Sequence, residues 1–166
     1  MVVRITQVKM LQGRNPEQMA ARTREKFAAL RSRVAEKMAD NIVDNSPVDT
    51  GTYIMAHSAA TAESGGQADR SSQNKIRGRS PGQFRELARA NLKRSVSARA
   101  IQASGTIYFR NTSLHAGRVE FLGWPPPLFG NPRSSGPGPY RVYADTRGKF
   151  GVFVSQAAAE LGFETR

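Results

Sequence analysis

The chain has 166 residues, no cysteine, and 25 Lys plus Arg against 13 Asp plus Glu, a formal charge of +12. That length suits one domain with a core of its own, and the missing thiols exclude disulfides, thiolate catalysis and cysteine-based zinc sites. The positive excess attracts polyanions, whether nucleic acid, an acidic protein face or a membrane surface. No stretch is apolar for long enough to span a bilayer, and the N-terminus, with Arg4 and Lys9, lacks the apolar core of a signal peptide. A reducing, cytosol-like compartment is the expected place of synthesis and assembly.

Taken in order, Val2 to Val8 is short and β-branched and predicts a strand. Gly13-Arg14-Asn15 is a turn. Asn15 caps a helix with Pro16 at its first position and Gln18 placed for a capping box. This helix is expected from Pro16 to about Asn45, with Phe27, Leu30, Val34, Met38 and Ile42 as its apolar stripe. A helix of that length needs packing partners along much of it. It stops at Ser46-Pro47-Val48-Asp49-Thr50-Gly51. Pro47 drives Ser46 out of the α region, Asp49 and Thr50 are able to bond their own backbone, and Gly51 accepts a positive φ without a Cβ clash.

Residues 52–62 read as a strand, or as a short helix followed by a strand. Residues 64–82 are polar and rich in Gly and Ser, and predict a basic flexible loop. Ser80-Pro81-Gly82-Gln83 repeats the pattern of cap, proline and N3 amide. A second helix is expected from Pro81 to about Gln102, with Phe84, Leu87, Ala88, Leu92 and Val96 inward and Arg85, Arg89 and Lys93 along one basic edge. Between 64 and 105 lie nine Lys or Arg and only two Asp or Glu, more than half the excess charge of the chain. Arg70, Lys75, Arg77, Arg79, Arg85, Arg89 and Lys93 are therefore the candidate contacts to DNA or to an acidic partner, set against the simpler reading of a solvated helix beside a loop.

Thr106 to Arg110 is the clearest strand. Leu114 to Leu122 predicts a short helix ending at Gly123. Residues 125–139 hold six prolines and three glycines and form an extended arm opened by Trp124. Tyr140 to Leu161 shows helical steps at Tyr143, Phe150, Val154, Ala157 and Leu161. Gly148 and Gly151 weaken that helix and leave two strands, 140–144 and 150–155, as the alternative. The sum is a single α+β domain over 1–166, with a small, mostly antiparallel sheet packed against one long N-terminal helix and two or three further helices.

Catalytic patterns are scarce. Asp49-Thr50-Gly51 is the triplet of aspartic proteases, but in those enzymes it follows apolar residues on a strand, and two such aspartates share a proton. Here it follows Ser-Pro at the end of a helix, so the turn reads as architecture. His57 and His115 are isolated in sequence and read as surface or packing residues. There is no nucleophile elbow, phosphate-binding loop or dinucleotide fingerprint. No cofactor or metal is expected, and no enzymatic activity.

Three features in this order carry a family resemblance: a long helix ending in Ser-Pro-Val-Asp-Thr-Gly (46–51), then Ile-Tyr-Phe-Arg-Asn-Thr-Ser-Leu-His-Ala-Gly-Arg-Val-Glu-Phe-Leu-Gly-Trp (107–124), then a Gly/Pro-rich loop leading to a last helix. Together they resemble the tail-completion, or head–tail joining, proteins of tailed bacteriophages, in particular those like minor tail protein Z of phage lambda. Pro47, Val48, Asp49, Thr50 and Gly51 fall on the first motif of the family. Ala116, Arg118, Val119, Glu120, Phe121, Gly123 and Trp124 fall on the second. Leu114-His115 stands where Pro-Tyr is usual, and Leu122 intrudes before Gly123. The resemblance implies a virion structural protein without catalysis. It would form a ring in the neck, usually sixfold and sometimes twelvefold, between portal or adaptor and tail terminator or tube, with DNA passing through its lumen. The arm 124–139 would reach a neighbouring subunit or ring. Glu120 reads either as the partner of a nearby basic side chain or, by default, as a surface carboxylate. The alternative from composition alone is a basic nucleic-acid-binding protein that works outside the virion.

Overall fold

A computed structural model describes residues 15–48, 51–61, 80–98, 106–122 and 139–163. The expected strand at 2–8, Asp49 and Thr50, most of the basic loop, Gly123, Trp124 and the arm up to 138 lie outside the described residues.

Helix α1 spans Pro16–Asn45. Asn15 Oδ1 accepts from Glu17 N at 3.0 Å, which satisfies one of the free amides of the first turn. Ser46 leaves the helix with φ −77° and ψ 135°, as a residue before proline must. Its buried residues are Val34, Ala35, Ala39, Ile42 and Val43. This corrects the expected stripe. Phe27 is 60% exposed, and every residue from 15 to 29 is exposed. Spacing of the large side chains found the correct side of the second half, but Ala35 and Ala39 are as buried as Ile42 because the helix backbone itself packs closely there. The first half of α1 extends past the body among the described residues.

After Gly51 come α2, Thr52–Met55, and strand β1, His57–Ala60. The short-helix alternative for 52–62 is the one the chain adopts. Helix α3, Pro81–Val96, begins with the expected capping box: Ser80 N donates to Gln83 Oε1 at 2.9 Å, and Gln83 N to Ser80 Oγ at 3.3 Å. It ends at Val96 instead of Gln102, where Ser97 N caps back to Lys93 O. Ser95 Oγ, bonded to Leu92 O, accepts from Ala59 N and so ties this last turn to the sheet.

Strand β2, Tyr108–Asn111, pairs antiparallel with β1, His57 opposite Asn111 and Ala60 opposite Tyr108. Among the described residues the sheet has these two strands alone. Helix α4 is Ala116–Phe121. The C-terminal element is helical throughout, against the two-strand alternative. It breaks at Gly148-Lys149 into α5, Val142–Gly148, and α6, Phe150–Glu160. Its inward residues are Val142, Thr146, Phe153, Ala157 and Ala158. Phe150 and Leu161, expected on the inner stripe, are 50% and 38% exposed, because the break shifts the phase of the second piece.

The main core joins α1, α2, α3, α4 and α5 through Ile42, Ile54, Leu92, Val96, Val119 and Val142, all fully buried. A second cluster, Val34 with Phe153 and Ala157, seats α6 on α1. Glu160 extends that seam, accepting from Arg33 Nε and Lys37 Nζ, each at 2.6 Å. Those bonds, Lys37 first, hold its carboxyl below its usual range. No helix among the described residues is long and apolar enough to cross a membrane.

Candidate functional site

The two stretches that carry the family resemblance converge on one buried polar cluster. Gly51 begins α2 with φ +78°, the left-handed conformation its place in the turn required. A Cβ there would lie 2.3 Å from Phe84 Cε1, so α3 packs against bare backbone. This close approach points Tyr53 into the core. Tyr53 Oη donates to Glu120 Oε1 at 2.6 Å. Tyr143 N donates to the other oxygen, Oε2, at 3.3 Å. Glu120 is 8% exposed, which corrects the surface carboxylate expected from the sequence. On a short helix Ala116, Val119 and Glu120 share one face, and that face is inward. Burial pushes the Tyr53 phenol far above its ordinary range, and the Glu120 bond adds to this. Burial also raises the Tyr143 phenol, with the nearby charge of Glu120 as the second cause.

His57 stands at the centre of the cluster. Ser46 Oγ lies 2.8 Å from Nε2, and Tyr143 Oη lies 2.7 Å from Nδ1. The ring meets Tyr53 and Tyr143 edge-on, with centroids 5.0 and 5.6 Å apart. Asn111 Nδ2 donates to Tyr53 O at 2.8 Å and passes 3.2 Å from Nδ1. Ser46 has one hydroxyl proton, and it goes to Ile42 O at 2.6 Å. Ser46 therefore accepts from His57, which assigns the proton to Nε2 and leaves Nδ1 to accept from Tyr143.

A serine beside a histidine at this distance invites comparison with a nucleophile and its base, but the proton runs the wrong way. A base must present a bare nitrogen to the hydroxyl, usually oriented by a carboxylate on the other nitrogen. Here Nε2 donates, Nδ1 meets a phenol, and Ser46 is 1% exposed. The cluster fixes positions: it ties the end of α1, the first residue of β1, the start of α5 and, through Tyr53 and Asn111, α4 and β2.

Burial pulls the His57 imidazole down to about 3. Unfolded, the ring titrates near 6.5, so between those values the unfolded chain holds more protons and stability rises with pH. The contribution is complete above about pH 6.5 and is lost as pH falls towards 3. At pH 5 the loss is about 2 kcal/mol. Urea unfolding at pH 7.5 and pH 5 measures it, and His57→Gln flattens that pH dependence while lowering stability at both.

The basic edge of α3 faces α1 and stays part-exposed. Arg89 pairs with Asp44 and, through Nε at 3.1 Å, with Asp40. Lys93 Nζ reaches Asp40 at 2.9 Å, and Arg85 donates to Ser46 O at 3.3 Å. These three candidate DNA contacts thus hold α3 to the end of α1, and their charge is largely matched by Asp40 and Asp44. Arg70, Lys75, Arg77 and Arg79 lie outside the described residues. Of the first motif, Pro47, Val48 and Gly51 are described, with Val48 packed on the core. Of the second, Val119 and Glu120 are buried, Ala116 packs on the core edge, and Arg118 and Phe121 are exposed. His115 is exposed at the N-cap of α4. Among the described residues no group of His, Asp or Glu is placed to hold a metal ion. Comparison with protein-family models, with curated proteins and with solved structures finds no match to this chain.

Proposed function

We propose that the chain is a structural protein of a tailed-phage particle, forming a ring in the neck that joins head to tail and lets DNA pass through its lumen. The observation that carries this reading is the Tyr53–Glu120 bond. It spans 67 residues of sequence and links the segment after the first family-like motif to the second motif in one buried cluster. An architectural use of both stretches supports a structural role over a catalytic one. The surface agrees with a subunit that meets others. Leu114, Phe121 and Leu122 are 55, 78 and 76% exposed around α4. Large apolar side chains grouped in this way suit an interface better than water. The partners proposed are further copies of the chain, a portal or adaptor ring and a tail terminator or tube, in the virion.

The alternative, a nucleic-acid-binding protein outside the virion, draws on the charge of +12. Engagement of Arg89 and Lys93 with Asp40 and Asp44 of α1 weakens it, since those two charges are already matched. Purified full-length protein, imaged in negative stain and titrated with duplex DNA from about 50 to about 200 mM salt, separates the two. Closed rings with weak DNA retention are expected. Monomers or dimers that hold DNA tightly and release it steeply with salt would overturn the proposal.

A further inference from the structure

A groove opens between α1, β2 and α6, with a cavity of about 420 Å³. Phe27, Leu30 and Met38 of α1 line it, together with Phe109 of β2 and with Phe150 and Val154 of α6. The α1 stripe predicted from sequence is thus real, but its outer part faces this groove instead of the main core.

We infer that α6 is a hinged lid over this groove, a helix that leaves its seat on α1 while the rest of the fold stays closed. Three observations lead there. First, the seat is separate from the core and shallow. Among the described residues the main core takes nothing from α6, whose buried residues are Phe153, Ala157 and Ala158. Phe153 is the one large side chain of the three, and it meets Val34 and Ala157 in a cluster of its own. Phe150 and Val152 of the same helix are 50 and 54% exposed. A helix that buries so little apolar surface belongs to the less stable part of a fold.

Second, the hinge is anchored. Gly148-Lys149 separates α5 from α6, and a Cβ at Gly148 would meet nothing within 4 Å. Asn41 of α1 donates to Thr146 Oγ1 at 2.7 Å on one side of the break and accepts from Lys149 Nζ at 3.3 Å on the other. Val142 fixes α5 in the main core. The pivot is therefore held, and a few residues at an element's end are enough to absorb a rotation. Third, the far end is latched by charges that stand in water. Glu160 and its partner Arg33 are exposed, and Arg33 divides itself between Glu160 and Glu36. Lys37 completes the latch. Exposed pairs of this kind hold weakly and are screened by salt. Beyond them Phe163 meets only the rim, with its ring 6.4 Å from that of Phe27 and 5.7 Å from Lys26 Nζ. Off its seat, a helix of 11 residues is too short to hold itself in water. Release therefore melts α6, bares Val34 and widens the groove along α1 and β2.

Hydrogen exchange read by mass spectrometry on the full chain tests this. Amides of residues 153–160 are expected to exchange at least about 30-fold faster than those of residues 88–96 in α3, through an opening smaller than global unfolding. Glu160→Gln is expected to speed residues 153–160 by about fivefold more and to leave 88–96 unchanged. Phe153→Ala, which empties the seat, is expected to bring 153–160 to the rate of an unstructured peptide with 88–96 still protected. One common rate for both segments in the unaltered chain, or equal acceleration of both by Phe153→Ala, would make α6 part of the main cooperative unit and overturn the inference. These readings do not depend on the proposed neck function, so failure here would leave that proposal standing.

Discussion

Gly51→Ala is expected to lower the thermal unfolding midpoint by about 9 °C. Two costs add. An L-residue held at φ +78° is disfavoured by about 1–2 kcal/mol. The new Cβ would also fall 2.3 Å from Phe84 Cε1, inside any tolerable contact, and the Phe84 ring it must displace is buried. Overpacking of this kind costs about 1–3 kcal/mol. A sum near 3 kcal/mol shifts a chain of this size by about 3 °C per kcal/mol. Gly117→Ala is the matched control. Gly117 lies in α4 with nothing within 4 Å of its missing Cβ. Alanine there is expected to leave the midpoint unchanged or raise it slightly. Equal, small effects at both positions, measured by calorimetry, would show that α3 does not pack on the turn as described.

Glu120→Ala is expected to cost about 3–4 kcal/mol in urea unfolding at pH 7.5. The substitution strands two buried donors, Tyr53 Oη and Tyr143 N, and leaves a void beside Val119. Glu120→Gln keeps the volume and one acceptor but turns an amide donor toward a donor, and is expected to cost about half as much. Tyr53→Phe removes the other end of the strongest bond. Because the two side chains share it, the double variant Tyr53→Phe/Glu120→Ala is expected to lose less than the sum of the single variants, with a coupling of about 2 kcal/mol. Additive losses would mean that Glu120 is held by something other than Tyr53.

Local signals made much of the fold legible. Both proline-initiated helices begin at their caps, and the Ser46-Pro47 stop and the positive φ of Gly51 follow from backbone sterics. The strand expected at 106–110 is found at Tyr108–Asn111, signalled by its aromatic pair, with Thr106 and Ile107 lying before it. What failed depended on distant neighbours. The inward role of Ala35 and Ala39 is invisible when a stripe is sought among large residues, because small ones bury by letting backbones approach. Phe27 belongs to the stripe by spacing but meets a groove, so periodicity found the face and not its neighbour. By propensity the C-terminal glycines weaken one helix; Gly148 instead ends one helix and lets a second begin. The candidate site was the least legible part. Glu120 is acidic and His57 stands alone in sequence, so each looks exposed until Tyr53 and Tyr143 arrive from 67 and 86 residues away. The one available signal was position: Glu120 shares a helical face with Ala116 and Val119. Similarly, Arg85, Arg89 and Lys93 form a basic edge by spacing, and nothing local reveals that Asp40 and Asp44 lie opposite.

The central claim is that the cluster around His57 is architecture, welding the end of the long helix to β1 and the C-terminal helices with its protons locked in place. The ¹⁵N spectrum of the His57 ring, followed from pH 8 to pH 5, tests this most directly. The account predicts a neutral ring with its proton on Nε2 and no titration over that range. A His57 ring that carries its proton on Nδ1 would leave a bare Nε2 facing the Ser46 hydroxyl, and one that titrates near pH 6.5 would not be sealed in the core; either would contradict the account.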